Sequence, residues 1–176
     1  MKVLALVSLL SCVLLTGCAA SVKSGGSDLS IPQENKANLV VKFEGNDKVE
    51  ANPDWSLLKT SWGTSLKAAA SSSGYQLSEQ QSKTDSPAAG VLVVVNVSNF
   101  RYLSTGARVG AGIMVGNAWV NSNVDFLDLK SGQKMGSRSY NTTSSAWEGV
   151  MSAMTEKQVQ AISQQIIADI KSAKSR

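Results

Sequence analysis

Five consecutive residues, Val91-Leu92-Val93-Val94-Val95, constrain this chain more than any others. Four of them are valines, whose β-branched side chains fit poorly in a helix and well on a pleated surface. A run of this kind with no polar alternation reads as a central strand covered on both faces. A chain that builds such a strand must supply partner strands beside it and a layer to cover it.

The flanking sequence supplies both. Leu39, Val41 and Phe43 alternate with Val40, Lys42 and Glu44, so a strand opens the domain near Leu39. The valine run continues in alternation through Phe100 and Tyr102. Ala118, Val120, Val124 and Phe126 alternate with Trp119, Asn121, Asn123 and Asp125, which predicts a half-buried strand. Asp128–Gln133 is a turn, and residues 134–142 form a more polar partner strand suited to an edge. Tyr75–Leu77 is a short strand, and the polar segment 78–90 is a loop.

Two amphipathic helices form the covering layer. In Asn52-Pro53-Asp54-Trp55, asparagine suits an N-cap, proline the first helical position and aspartate the positive end of the dipole. Trp55, Leu58, Trp62, Leu66 and Ala69 follow at helical spacing, and Ser73-Gly74 ends the helix. Near the C-terminus, Val159, Ile162, Ile166, Ile170 and Ala173 form an apolar stripe. Thr155 and Gln158 fit a capping box at its start, and Lys171, Lys174 and Arg176 lie at its negative end. The order predicts an α+β fold: a two-layer sandwich with a mainly antiparallel sheet and two helices on one face.

The N-terminus reads MKVLALVSLLSCVLLTGC. Lys2 precedes an apolar run from Val3 to Leu15, the pattern of a secretory signal. The run is too short to span a hydrocarbon core, which takes about 20 residues. Leu15-Thr16-Gly17-Cys18 resembles the lipobox of bacterial lipoproteins. That resemblance implies cleavage before Cys18, a diacylglycerol on its sulfur and a further acyl chain on its new amino group. Several acyl chains hold a protein firmly, at about 0.8 kcal/mol per buried methylene. Ala19 stands where an aspartate would imply retention in the inner membrane, so the resemblance implies the periplasmic face of the outer membrane. The expected organisation is a signal peptide over 1–17, a lipidated cysteine and flexible tether over 18–37, and one periplasmic domain over 38–176. The tether expectation rests on the Ser, Gly and polar content of residues 19–37.

Composition narrows the chemistry. The chain has no histidine, which removes the commonest general base and metal ligand and the usual Ser-His and Cys-His arrangements. Its two cysteines are Cys12, in the leader, and Cys18, so the domain has neither free thiol nor disulfide. Ser144 and Ser145 have no base to activate them, Asp125 and Asp128 fall on opposite strand faces, and Glu148 stands alone. No enzyme activity, metal or cofactor is expected. Without Lys2 the chain carries 16 basic against 13 acidic residues, a net +3, with no basic block. No nucleic-acid partner is therefore expected.

Gly106, Gly110, Gly112 and Gly116 punctuate the segment TGARVGAGIMVGNAWV. A dinucleotide loop must open a helix, whereas a strand follows here. Two readings remain for this segment. It is a hairpin whose glycines permit unusual backbone angles, or an apolar surface loop presenting Ile113, Met114 and Val115, with Arg108 and Trp119 beside them, to a partner or lipid. Trp55 and Trp62 read as core. Trp119 lies on the face opposite its strand's apolar side, exposed or under a helix, and Trp147 plugs the core or lines a groove.

The second half resembles the DUF4410 group of bacterial lipoproteins of unknown function. The resemblance runs from Val91 to Ile170 through the valine-rich strand, Phe100, Gly106-Ala107-Arg108, the Gly-Ala-Gly at 110–112, Asp128 and Ser131-Gly132. It implies an anchored α/β domain and supplies no catalytic residues. A broader likeness is to small periplasmic lipoproteins that serve as accessory subunits of envelope machines. The function expected is a membrane-anchored, non-enzymatic module that binds an envelope protein. The alternative is a small-ligand or lipid-binding module with a pocket between sheet and helices near Trp62, Trp119 or Trp147.

Overall fold

The computed structural model describes residues 20–80, 89–104, 117–143 and 154–175. Six strands, β1 (Val22–Gly26), β2 (Asn38–Gly45), β3 (Gln76–Glu79), β4 (Val91–Arg101), β5 (Trp119–Asp128) and β6 (Lys134–Thr143), form one sheet in the order β1-β6-β5-β4-β2-β3. β4 through β6 and β1 pair antiparallel, while β2 runs parallel to both β3 and β4. Among the described residues, three α-helices accompany them: α1 (Asp47–Glu50), α2 (Trp55–Ser72) and α3 (Met154–Ser172). The fold is α+β, an open mixed sheet with the helices packed on one side.

The alternations read from the sequence set that side. Leu39 and Val41 of β2, Val91, Val93, Val95 and Val97 of β4, and Val120, Val124 and Phe126 of β5 share a buried cluster with Leu58, Trp62 and Leu66 of α2 and Ile162, Ile166 and Ile170 of α3. The valine run is the central strand expected, but helices cover only one of its faces. On the other face Val94 is 8% exposed and lies in register between Lys42 and Asp125. Neighbouring strands, not a second helical layer, shelter it.

α2 begins at Trp55 with Asp54 as its N-cap, two residues later than the Asn52 cap and Pro53 start read from the sequence. The Asn52 Oδ1 accepts from the Asp54 N–H at 2.9 Å, and the Trp55 N–H donates to the Asn52 carbonyl at 3.0 Å, leading the chain into α2. Gly74 follows the end of that helix at φ +78°, the left-handed conformation that glycine adopts without strain. The Thr155–Gln158 capping box is not what forms. The Thr155 hydroxyl accepts from the Leu103 N–H at 2.8 Å, and the Gln158 amide donates to the Ala118 carbonyl at 3.0 Å. Both side chains are buried, so they pin α3 to the end of β4 and the start of β5.

The largest correction concerns residues 22–37, read above as flexible tether. Val22–Gly26 forms β1 along the outer side of β6, so β6 is not the edge its polarity suggested. Leu29 and Ile31 are 5% and 0% exposed and belong to the main core. The polar composition of this stretch hides two well-spaced apolar anchors, and the ordered domain begins by Val22.

Candidate functional site

The face of the sheet that the described helices leave open is a feature of functional interest. Register places Asn96, Asn123 and Ser139 in one cross-strand row, and Asn99, Asn121 and Asn141 in the next. Arg101, Trp119 and Thr143 form the row beyond, at the end of the sheet. The bulge between Val97 and Asn99 shifts the alternation of β4 and turns Asn99 and Arg101 onto this face. A shallow cavity of about 280 Å³ opens on it beside Glu44, Asn46, Asn96, Ser98 and Asn123.

Of the five candidate interaction residues, Arg108, Ile113, Met114, Val115 and Trp119, the structure describes Trp119. It is half-buried on the open face, with the Arg101 guanidinium carbon 5.6 Å from its ring centroid, a cation–π contact. Arg101 also donates to the Asn117 carbonyl at 3.4 Å. Lys23 lies nearby across β6, in register with Asn141, and is exposed. Cys18, Arg108, Ile113, Met114 and Val115, with Ser144, Ser145, Trp147 and Glu148, lie outside the described residues.

Acids on the open face are paired. Glu44 lies 2.6 Å from Lys42, and Asp125 lies 2.7 Å from Lys134. Partial burial pushes the Asp125 carboxyl up, but hydrogen bonds from Lys134 and Ser137 outweigh it and hold the group below its usual range. Asp128 is also held low, first by the Ser131 backbone N–H and then by the Ser131 hydroxyl, inside the predicted turn.

On the helical side the structure joins residues that looked unremarkable in sequence. The Tyr102 hydroxyl donates to Glu156 at 2.9 Å and lies 3.3 Å from the Ser61 hydroxyl. Burial raises its pKa, the Ser61 contact opposes the rise, and Glu156 adds to it. Tyr140, fully buried, donates to Asp169 at 2.6 Å. Arg138 Nε is 3.0 Å from the same carboxylate oxygen, an ion pair by distance without the alignment of a hydrogen bond. These links join β4, β6, α2 and α3 and brace the fold. No local pattern announces them, because their members are far apart in sequence.

Trp62 is fully buried and packs against Phe43 at a centroid distance of 5.8 Å, so it belongs to the core. Among the described residues, open grooves lie elsewhere. One of about 490 Å³ runs between α2 and the β2–β3 edge beside Lys42, Lys59, Thr60 and Glu79. Another, about 510 Å³, separates α2 from α3 beside Ala68, Ala69, Ile167 and Lys171. Among the described residues no cluster of three or more Asp, Glu, Cys or His side chains is placed to hold a metal ion. Among the same residues, no helix is long and apolar enough to cross a membrane.

No protein-family model matches the sequence, and no curated protein does. The DUF4410 resemblance therefore stands on its residues alone. Solved structures do share the fold. The PelC dodecamer from Paraburkholderia phytofirmans aligns with a TM-score of 0.56 at 13% identity, over 89% of this chain and 99% of that one. A single-substitution variant of that dodecamer gives 0.50 at 14% identity, over 82% and 96%. Lipoprotein GNA1162 from Neisseria meningitidis is looser, with a TM-score of 0.40 at 15% identity over 75% and 99%. The likeness to the first two is one of fold.

Proposed function

We propose that this protein is a lipid-anchored lipoprotein of the bacterial cell envelope, held through Cys18 on the periplasmic face of the outer membrane. Its domain serves as a non-enzymatic module that binds an envelope protein. The observation that carries the reading is the apolar leader closed by Leu15-Thr16-Gly17-Cys18, four residues ahead of β1. A cleaved and acylated Cys18 would leave the folded domain directly at the bilayer. The lack of histidine supports a non-enzymatic role, since the sequence lacks the usual acid–base partner.

The open sheet face supports partner binding, because among the described residues the helices cover only the other side of the sheet. The two nearer solved structures are described as dodecamers, so a fold of this kind is compatible with packing against further copies, and a second copy is one candidate partner. Residues Val91–Ile170 keep the DUF4410 resemblance as the finer family reading.

Crosslinking in intact cells, followed by mass spectrometry, tests the binding role. Reproducible capture of one envelope protein, or of a second copy, is expected. Recovery of no reproducible partner would count against the role. Cys18→Ser is expected to leave an unlipidated precursor or a soluble periplasmic species. Retention of that variant on washed membranes would overturn the anchor. Ala19→Asp is expected to move the protein toward the inner membrane of an enteric host.

A further inference from the structure

The first strand determines how the domain can sit relative to its anchor. Val22 opens β1 and pairs with Thr142, and Cys18 precedes it by four residues. An extended chain covers at most about 3.6 Å per residue, so Cys18 stays within about 14 Å of Val22. The end of the sheet where β1 begins is also where β4 ends, β5 begins and β6 ends, at Arg101, Trp119 and Thr143. That end of the sheet cannot move far from the surface in which Cys18 is held.

Its open-face corner has the chemistry of a membrane interface. Trp119 offers an indole ring, whose apolar body and polar N–H favour the headgroup level. Arg101 adds a cation against the ring, and Lys23 adds a second on the same face, two strands away on β1. A cation near an anionic lipid surface gains roughly fivefold in surface affinity. Asn99, Asn121 and Asn141 form the row that Lys23 ends, next to the row of Arg101 and Trp119, and their amides suit phosphate and ester oxygens. Among the described residues, the acids of this face are Glu44 and Asp125, each paired with a lysine and farther along the strands. Asp47, Glu50 and Glu156 belong to α1 and α3, on the other side of the sheet.

We infer that the corner formed by Lys23, Arg101 and Trp119 docks on the anionic lipid surface that holds Cys18, so that the domain lies against the membrane. The inference rests on the lipoprotein reading, and its test separates the two. The full-length protein, purified from its membrane, is first weighed by mass spectrometry. It is then reconstituted into vesicles of phosphatidylethanolamine and phosphatidylglycerol whose acyl chains carry bromine near the headgroup, which quenches tryptophan fluorescence on contact.

Acyl mass on Cys18 together with quenched fluorescence is expected. Trp119→Phe is expected to remove most of the quenching while leaving the thermal melt in place. Lys23→Glu combined with Arg101→Glu keeps every tryptophan and is also expected to lose the quenching. A chain without acyl mass would overturn the anchor and this orientation together. Acylated protein with unquenched fluorescence, or quenching that survives both variants, would overturn the docking alone. An unquenched domain that sediments as an assembly would assign the corner to a second copy.

Discussion

The Lys36 ammonium donates a hydrogen bond to the Ala173 carbonyl at 2.8 Å. It also lies 3.5 Å from the Lys171 carbonyl, and the residue is 4% exposed. Backbone bonds run alongside, from the Ile31 N–H to the Lys174 carbonyl at 2.9 Å and from the Lys174 N–H to the Leu29 carbonyl at 3.1 Å. The last carbonyls of a helix have no partner within it. Here a segment more than a hundred residues upstream supplies one, and a cation there also complements the helix dipole.

Replacing Lys36 by methionine keeps the aliphatic stem and removes the donor. The loss expected is about 1.5–3 kcal/mol, the net worth of a hydrogen bond from a charged donor, here to a half-buried carbonyl. A urea unfolding curve measures it. An unchanged midpoint would mean that water replaces the ammonium at the helix end.

Ile31→Ala separates the observed architecture from a flexible tether. Ile31 is fully buried, so truncating it is expected to cost about 2–5 kcal/mol. A residue in a loose linker would cost nothing measurable. Thermal melts of the two proteins decide between these values.

Ile166→Asp places a charge at a fully buried position on the inner face of α3. An unpaired buried charge costs several kcal/mol, against a total stability of ~5–15 kcal/mol for an ordinary domain. The expected result is an unfolded domain or a detached helix by circular dichroism. A melt within error of the wild type would place that face in solvent.

The Tyr140 phenol is held above its ordinary value of 10.0, first by burial and then by the Asp169 carboxylate. Its folded pKa is raised, so the unfolded chain loses this proton first as pH rises. The contribution is intact below about pH 10 and is lost progressively above it. Denaturation midpoints are therefore expected to fall above that pH, and less steeply in Tyr140→Phe. An ultraviolet titration of the folded protein should show Tyr140 silent through the normal tyrosine range. Full ionisation there would contradict the burial.

The sequence by itself determined the parts of this protein that depend on neighbours a few residues apart. A period of two marked β2 and β5, an unbroken β-branched run marked β4, a period near 3.6 marked α2 and α3, and the apolar leader closing on Cys18 set the expected attachment. The α+β class followed from their order. What only the tertiary structure decided depends on pairs remote in sequence. Ser27 and Ser137, 110 positions apart, exchange hydrogen bonds where β1 leaves β6, and nothing in the polar run over 19–37 signals that strand. Thr155 and Gln158 satisfy every local rule for a cap, yet they bond to Leu103 and Ala118. Each side chain has one set of donors and acceptors, and the packed fold offered partners that the helix end alone could not. The corner of Lys23, Arg101 and Trp119 is legible only once the register aligns three strands, because local periodicity fixes which face a residue takes and not which residues stand beside it.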